Sequence, residues 1–193
     1  MNKCRNYRNL CYADVIFDDL IDAYLIYSDL FCADLIYANL NDANLNGADF
    51  SYADLSYADL TFAYGYADFS YAVLRNADLS YADGLNAAFS YADLSYSDLS
   101  GSNEYDEVSY SYSSFTDFSS ANFSNADLSG ADLSYTRLYQ ANLSNTDLSY
   151  AELSNAYASY ADFSNARLYG ADLSGANSYA DFIDVYGYDA DFT

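Results

Sequence analysis

Histidine, proline and tryptophan are absent from this chain of 193 residues. Losing histidine removes the commonest general base near neutral pH and the commonest metal ligand. A Ser/His/Asp or Cys/His arrangement is therefore excluded. Losing proline leaves every internal backbone N–H able to donate, which suits an unbroken ladder. Cations are scarce: six Lys and Arg stand against 29 Asp and Glu, a net charge of −23. Three of the six, Lys3, Arg5 and Arg8, sit at the extreme N-terminus. Gripping a phosphate backbone needs many Lys and Arg, so nucleic acid is excluded as a direct ligand. The three cysteines, Cys4, Cys11 and Cys32, are odd in number and make neither a disulfide framework nor a zinc site. No Gly-rich phosphate loop appears. No apolar run is long enough for a membrane span. No apolar stretch follows Met1-Asn2-Lys3-Cys4-Arg5, so no signal peptide is expected, and the expected location is cytoplasmic. No metal, cofactor or catalytic set can be assembled, and the chain is read as a non-enzyme. The many Asp could pair as acid and base, but nothing in the sequence marks a cleft to hold them.

What the chain has instead is a period of five. Ala53-Asp54-Leu55-Ser56-Tyr57 is followed at once by Ala58-Asp59-Leu60. A helix repeats every 3.6 residues and a strand every two, so neither buries the same residue at a spacing of five. A chain turning one corner per repeat does. The central Leu or Phe recurs at positions 20 to 60 and again at 118 to 153, with a small residue, mostly Ala, two positions earlier. Between them stands Asp or Asn, pointing outward while its neighbours point in. One large and one small inward residue per repeat fill a narrow interior without voids.

The pattern Ala-(Asp/Asn)-Leu-X-X resembles that of the pentapeptide-repeat family, over about residues 8 to 192. The resemblance implies an all-β fold, a right-handed four-sided parallel β-helix with four pentapeptides per coil. Roughly 38 repeats make about nine coils of a solenoid. At about 4.8 Å per coil the rod is on the order of 45 Å long. One solenoid domain over 1–193 is expected, with 1–9 as an N-terminal cap or tail and 101–114 as an irregular coil or loop. The centres slip by one residue at 60 to 69, 99 to 118 and 173 to 182, and each slip is read as a shortened corner.

The resemblance also carries a functional expectation. The family includes acidic quinolone-resistance proteins that imitate B-form DNA and occupy DNA gyrase in its place. Those usually end in a C-terminal dimerisation segment, whereas here the repeat runs to Asp191-Phe192-Thr193. Stacking residues about twenty apart predicts an acidic column: Asp14, Asp34, Asp54, Asp93, Asp132, Glu152, Asp172 and Asp191. Asp exceeds Asn at this position by about three to one. Carboxylates stacked at coil spacing repel each other, so the excess points to a use for the charge. Tyr12, Cys32, Tyr52, Tyr71 and Tyr91 are expected to stack on one side, and Phe17, Tyr37, Tyr57 and Tyr96 on the next. Ile16, Ile21, Ile26, Phe31 and Ile36 occupy positions that elsewhere carry Ser, making an apolar patch at the N-terminal end. Either residues 1–9 fold over it or a second copy does, giving a homodimer through the N-terminal coils. Three functions stay open: a rod that binds a DNA-handling enzyme such as a topoisomerase, a scaffold presenting Tyr and Ser strips to another protein, and a structural or designed rod with no specific ligand.

Overall fold

The computed structural model describes residues 10–83, 87–99, 102, 116–176 and 179–193. The expected cap at 1–9 and nearly all of 101–114 lie outside the described residues. The described chain is a right-handed four-sided β-helix in which every bridge between coils is parallel. Each side is a short extended piece of the form Ala-Asp-Leu. Asp54 N–H donates to Ala33 in the coil before (3.0 Å), and Leu55 N–H donates to Val73 in the coil after (2.7 Å). The corner then closes on itself, as where Ala53 N–H donates to Phe50 C=O at 2.9 Å. A four-residue turn of this kind wants a positive φ at its third residue. That residue is Tyr52 in this corner, at φ 61°, and Asn or Gly in many others, such as Asn145 at 60° and Gly130 at 67°. Asn and Gly enter the left-handed region readily, whereas Tyr does so at a cost that its packing must offset.

Four rows of outward residues define the sides. Side 1 runs Asp14, Asp34, Asp54, Val73, Asp93, Asn122, Asn142, Asp162, Asp181. Side 2 runs Asp19, Asn39, Asp59, Asp78, Asp98, Asp127, Asp147, Arg167, Tyr186. Side 3 contains Tyr24, Asn44, Tyr64, Asp83 and, further along, Asp132, Glu152, Asp172, Asp191. Side 4 contains Asp29, Asp49, Asp68, Ala88, Asp117, Arg137, Tyr157.

Two of the three slips are built as expected. Asp59↔Asp78 and Asp162↔Asp181 step by 19 residues where an ordinary coil steps by 20. The middle one is not. Ala88↔Asp117, Asp93↔Asn122 and Asp98↔Asp127 each step by 29. The bridges across this stretch therefore span nine residues more than an ordinary coil, and not one fewer. Everything after it is turned by two sides, half a coil, from the expected register. The period of five places a residue within its repeat. It does not say which of four sides the repeat occupies once the pattern has lapsed.

The core is a column of the central and small residues. Leu35, Leu55, Leu94 and Leu133 are fully buried. On side 4 the column changes from Leu30 to Phe50, Phe69, Phe89 and Phe118, whose rings stack at 4.8 to 5.0 Å. The change compensates for a loss on side 3, where Gly65 holds a central position. Phe69 and Phe89 lie against the same small interior space as Gly65, Leu45, Leu60 and Leu79. Bulk missing from one wall is thus supplied by the next. Where Thr or Ser replaces the small Ala, three hydroxyls find a carbonyl: Thr146 to Phe123 at 2.9 Å, Thr136 to Leu133 at 2.7 Å, Ser97 to Leu94 at 2.6 Å, whereas the buried hydroxyls of Ser28 and Ser102 find no partner among the described residues. Buried hydroxyls satisfied in this way add little cost.

Candidate protein-binding faces

The outward Asp has a local role before any functional one. Its Oδ1 accepts the amide two residues on, as in Asp54 with Ser56 at 2.9 Å and Asp127 with Ser129 at 2.9 Å. Often the serine hydroxyl donates too, as Ser80 does to Asp78 at 2.6 Å. Asn39, Asn44, Asn122 and Asn142 make the same backbone contact at 3.0 to 3.1 Å. The corner therefore needs an acceptor oxygen, and it does not need a charge. Sequence reading placed these residues but missed this bond. The small polar residue two positions downstream was its signal.

The single acidic column is corrected by the register. Asp14, Asp34, Asp54 and Asp93 lie on side 1, while Asp132, Glu152, Asp172 and Asp191 lie on side 3. The half-coil turn described above separates the two quartets. Among the described residues the longest uninterrupted row of carboxylates is elsewhere. Asp59, Asp78, Asp98, Asp127 and Asp147 stack on side 2, one per coil, across the irregular segment. At about 4.8 Å between neighbours the row is some 20 Å long. Arg167 closes it, with Nη1 donating to Asp147 Oδ2 at 3.2 Å.

Among the described residues three carboxyls titrate below their ordinary value. For Asp93 and Asp147, burial pushes the value up, and hydrogen bonds outweigh it. Ser95 and Arg75 donate to Asp93, and Ser149 and Arg167 donate to Asp147. For Asp191 the amide and hydroxyl of Thr193 are the cause. A lowered carboxyl pKa contributes stability above its unfolded value, and that stability is lost as pH falls through the folded value. The Arg75–Asp93 pair, at 2.6 Å, is exposed on the arginine side and is worth at most about 1 kcal/mol. Arg75→Gln should therefore unfold more easily than the parent at pH 7, with the gap closing below about pH 4. A gap unchanged down to pH 2 in denaturant titrations would show that the pair contributes nothing through ionisation.

Aromatic rails flank side 1 in the first coils. Tyr52, Tyr71 and Tyr91 stack at 4.8 and 4.9 Å on one corner. Phe17, Tyr37 and Tyr57 stack at 4.9 and 4.8 Å on the next. Tyr12 departs from the expected stack and meets Phe31 edge-on at 5.9 Å. Tyr27 reaches over Gly47, where a Cβ would collide with its ring, and its hydroxyl meets that of Tyr66 at 3.0 Å. That contact raises the Tyr66 pKa. Ile21 and Ile26 are exposed, while Ile16, Phe31 and Ile36 are half-buried. The five occupy all four corners of the first coils, so they form a collar and not a patch on one face. Cys11 is disulfide-bonded, which the cysteine count did not lead one to expect, and Cys32 is a free thiol. Among the described residues no cluster could hold a metal ion, and no helix is long and apolar enough to cross a membrane.

The model of the family described as pentapeptide repeats matches this chain in eight copies, over residues 28–61, 67–103, 114–149 and 136–175. These matches span more than half of the sequence, and the chain belongs to the pentapeptide-repeat family. Proteins of this family are generally structural or interaction proteins. Among solved structures the chain is similar to HetL, a pentapeptide repeat protein involved in heterocyst differentiation regulation from the cyanobacterium Nostoc sp. strain PCC 7120. The identity is 29%, over 93% of this chain and 88% of that one, with a TM-score of 0.32. It is also similar to QnrB1, a plasmid-mediated fluoroquinolone resistance protein, at 16% identity over 91% and 92% of the two chains, with a TM-score of 0.47. Rfr23 from the cyanobacterium Cyanothece 51142 is 21% identical over 83% and 91%, with a TM-score of 0.23. Among curated proteins none matches this chain.

Proposed function

We propose that this chain is a non-catalytic acidic rod that binds a DNA-handling enzyme, such as a topoisomerase, by imitating the charge of B-form DNA. The observation that carries the reading is the choice of Asp where Asn would serve. Twenty bridged positions hold Asp and four hold Asn, although both make the same corner bond. A ladder of like charges destabilises the rod, so charge itself is what the excess supplies. The density fits the role. The 29 acidic residues spread over about 45 Å give one carboxylate per roughly 1.6 Å, against one phosphate per about 1.7 Å of duplex axis. Fixing Oδ1 to the corner also holds each carboxylate in one orientation, which lowers the ordering cost of binding.

A competition experiment tests this. The protein is titrated into purified DNA gyrase holding a labelled linear duplex, at low and at high salt. Displacement of the duplex at low salt, weakening steeply as salt rises, is the expected result. No displacement at low salt would overturn the reading. A second reading, a scaffold that binds through tyrosine strips, is favoured by the exposed stacks at Tyr52, Tyr71 and Tyr91. It expects partner binding that salt leaves unchanged.

A further inference from the structure

The acidic row of side 2 ends at a groove of different character. Asn145, Asn165, Arg167, Tyr169 and Tyr186 line a concave space of about 420 Å³ on the last coils. That volume lies within the range of small-molecule sites. The groove crosses one side of the helix. Asn145 and Asn165 stand one above the other at the corner before side 2, both in the left-handed conformation that the corner demands. Arg167 and Tyr186 are bridged neighbours on side 2 itself. Tyr169 stands at the corner after it, with its ring 6.2 Å from that of Tyr188.

The lining selects a class of ligand by elimination. Its one cation is already held by Asp147, so the groove has no unbalanced positive charge to attract an anion. The −23 field of the whole chain repels polyanions further. No carboxylate lines the groove, so a cation has no counter-charge inside it. An apolar molecule would strand the amides and the guanidinium. What remains suits a hydroxyl-rich neutral molecule. Two amides offer both donors and acceptors, two phenols do the same, and Arg167 keeps further N–H donors beyond the one given to Asp147. Tyrosine rings add flat apolar surface for the C–H face of a sugar ring. The repeat adds a periodic lining, because groups of one kind recur once per coil, at about 4.8 Å. A chain lying along the axis would meet Asn145 and then Asn165, and Arg167 and then Tyr186, at equivalent points.

The geometry points to a neutral oligosaccharide site on side 2 at Asn145, Asn165, Arg167, Tyr169 and Tyr186. It does not rest on the acidic-rod reading, although Arg167 also closes that row through Asp147. Isothermal titration calorimetry of the whole chain with cellohexaose and with maltohexaose tests it, with inorganic phosphate as the anionic arm. Saturable binding of at least one hexaose is expected. Arg167→Gln and Tyr186→Ser should each weaken it about tenfold, by removing donors or the stacking surface. Both residues are exposed, so both variants keep the fold. Tyr91→Ser, far from the groove, should bind as the parent does. No saturable heat with either hexaose would overturn the proposal. So would equal binding by both variants, or binding of phosphate in preference to the sugars.

Discussion

Leu55→Ala should cost about 2–5 kcal/mol of folding stability, the range for truncating a buried leucine that its surroundings cannot refill. Leu55 is fully buried. Its N–H donates to Val73 and that of Tyr57 to Arg75, both in the next coil, and Ala58 N–H donates to Leu55 C=O to close the corner. The backbone around it is therefore pinned on both sides and cannot collapse into the space left. In a compact domain the loss would be shared. In a solenoid each coil touches only its neighbours, so the loss falls on the two adjoining interfaces. Urea titration followed by circular dichroism should show a lower midpoint. It should also show a broadened or split transition as the halves uncouple. A change under about 0.5 kcal/mol, the usual range for a surface site, would contradict the position of Leu55 in the column.

Gly65→Ala should be as damaging, for a different reason. Gly65 has φ 118°, a region that side-chain-bearing residues scarcely visit. A Cβ there would stand 2.7 Å from the backbone nitrogen of Asn46, whose N–H donates to Asn44 Oδ1 at 3.1 Å. Strain of about 1–3 kcal/mol adds to that overlap. Gly130→Ala is the matched control. Gly130 has φ 67°, where many Tyr and Asn sit in this chain, and nothing lies within 4 Å of its added Cβ. It should cost no more than about 1–2 kcal/mol. Equal thermal shifts for the two variants would mean that the close approach of Gly65 to the preceding coil is not what that site requires.

The sequence shows clearly what repeats and poorly what interrupts. Leu, Ala and Asp recur at fixed places within five residues, so inward and outward positions could be assigned before the structure. Leu133 and Ala131 are buried as the pattern demands. The stacks at Tyr71 and Tyr37 followed from the same count. The side each repeat occupies after Leu99 did not follow, because 100–115 carry no pattern to count by. Asp93 therefore pairs with Asn122 and not with the row of Asp132. That error hid the row from Asp59 to Asp147, which depends on joining the halves correctly. The groove at Arg167 was hidden for another reason. It is assembled from three coils, and no single repeat differs enough from its neighbours to announce it.

Replacing Asp59, Asp78, Asp98, Asp127 and Asp147 together by Asn gives the most direct measurement. Asn keeps the Oδ1 acceptor, so the corners survive, and relief of repulsion along the row should offset the loss of the Asp147–Arg167 pair. The control exchanges five Asp from other sides: Asp29, Asp49, Asp68, Asp162 and Asp181. Both variants lose the same charge. Stopped-flow association with DNA gyrase at low salt should be slowed far more by the side 2 set than by the control, because a lined-up charge steers encounter. The difference should fade at high salt, where exposed charges more than about 10 Å apart are screened. Equal slowing by both sets would mean that net charge alone matters. Association as fast as the parent's in both would contradict the acidic rod as a mimic of DNA.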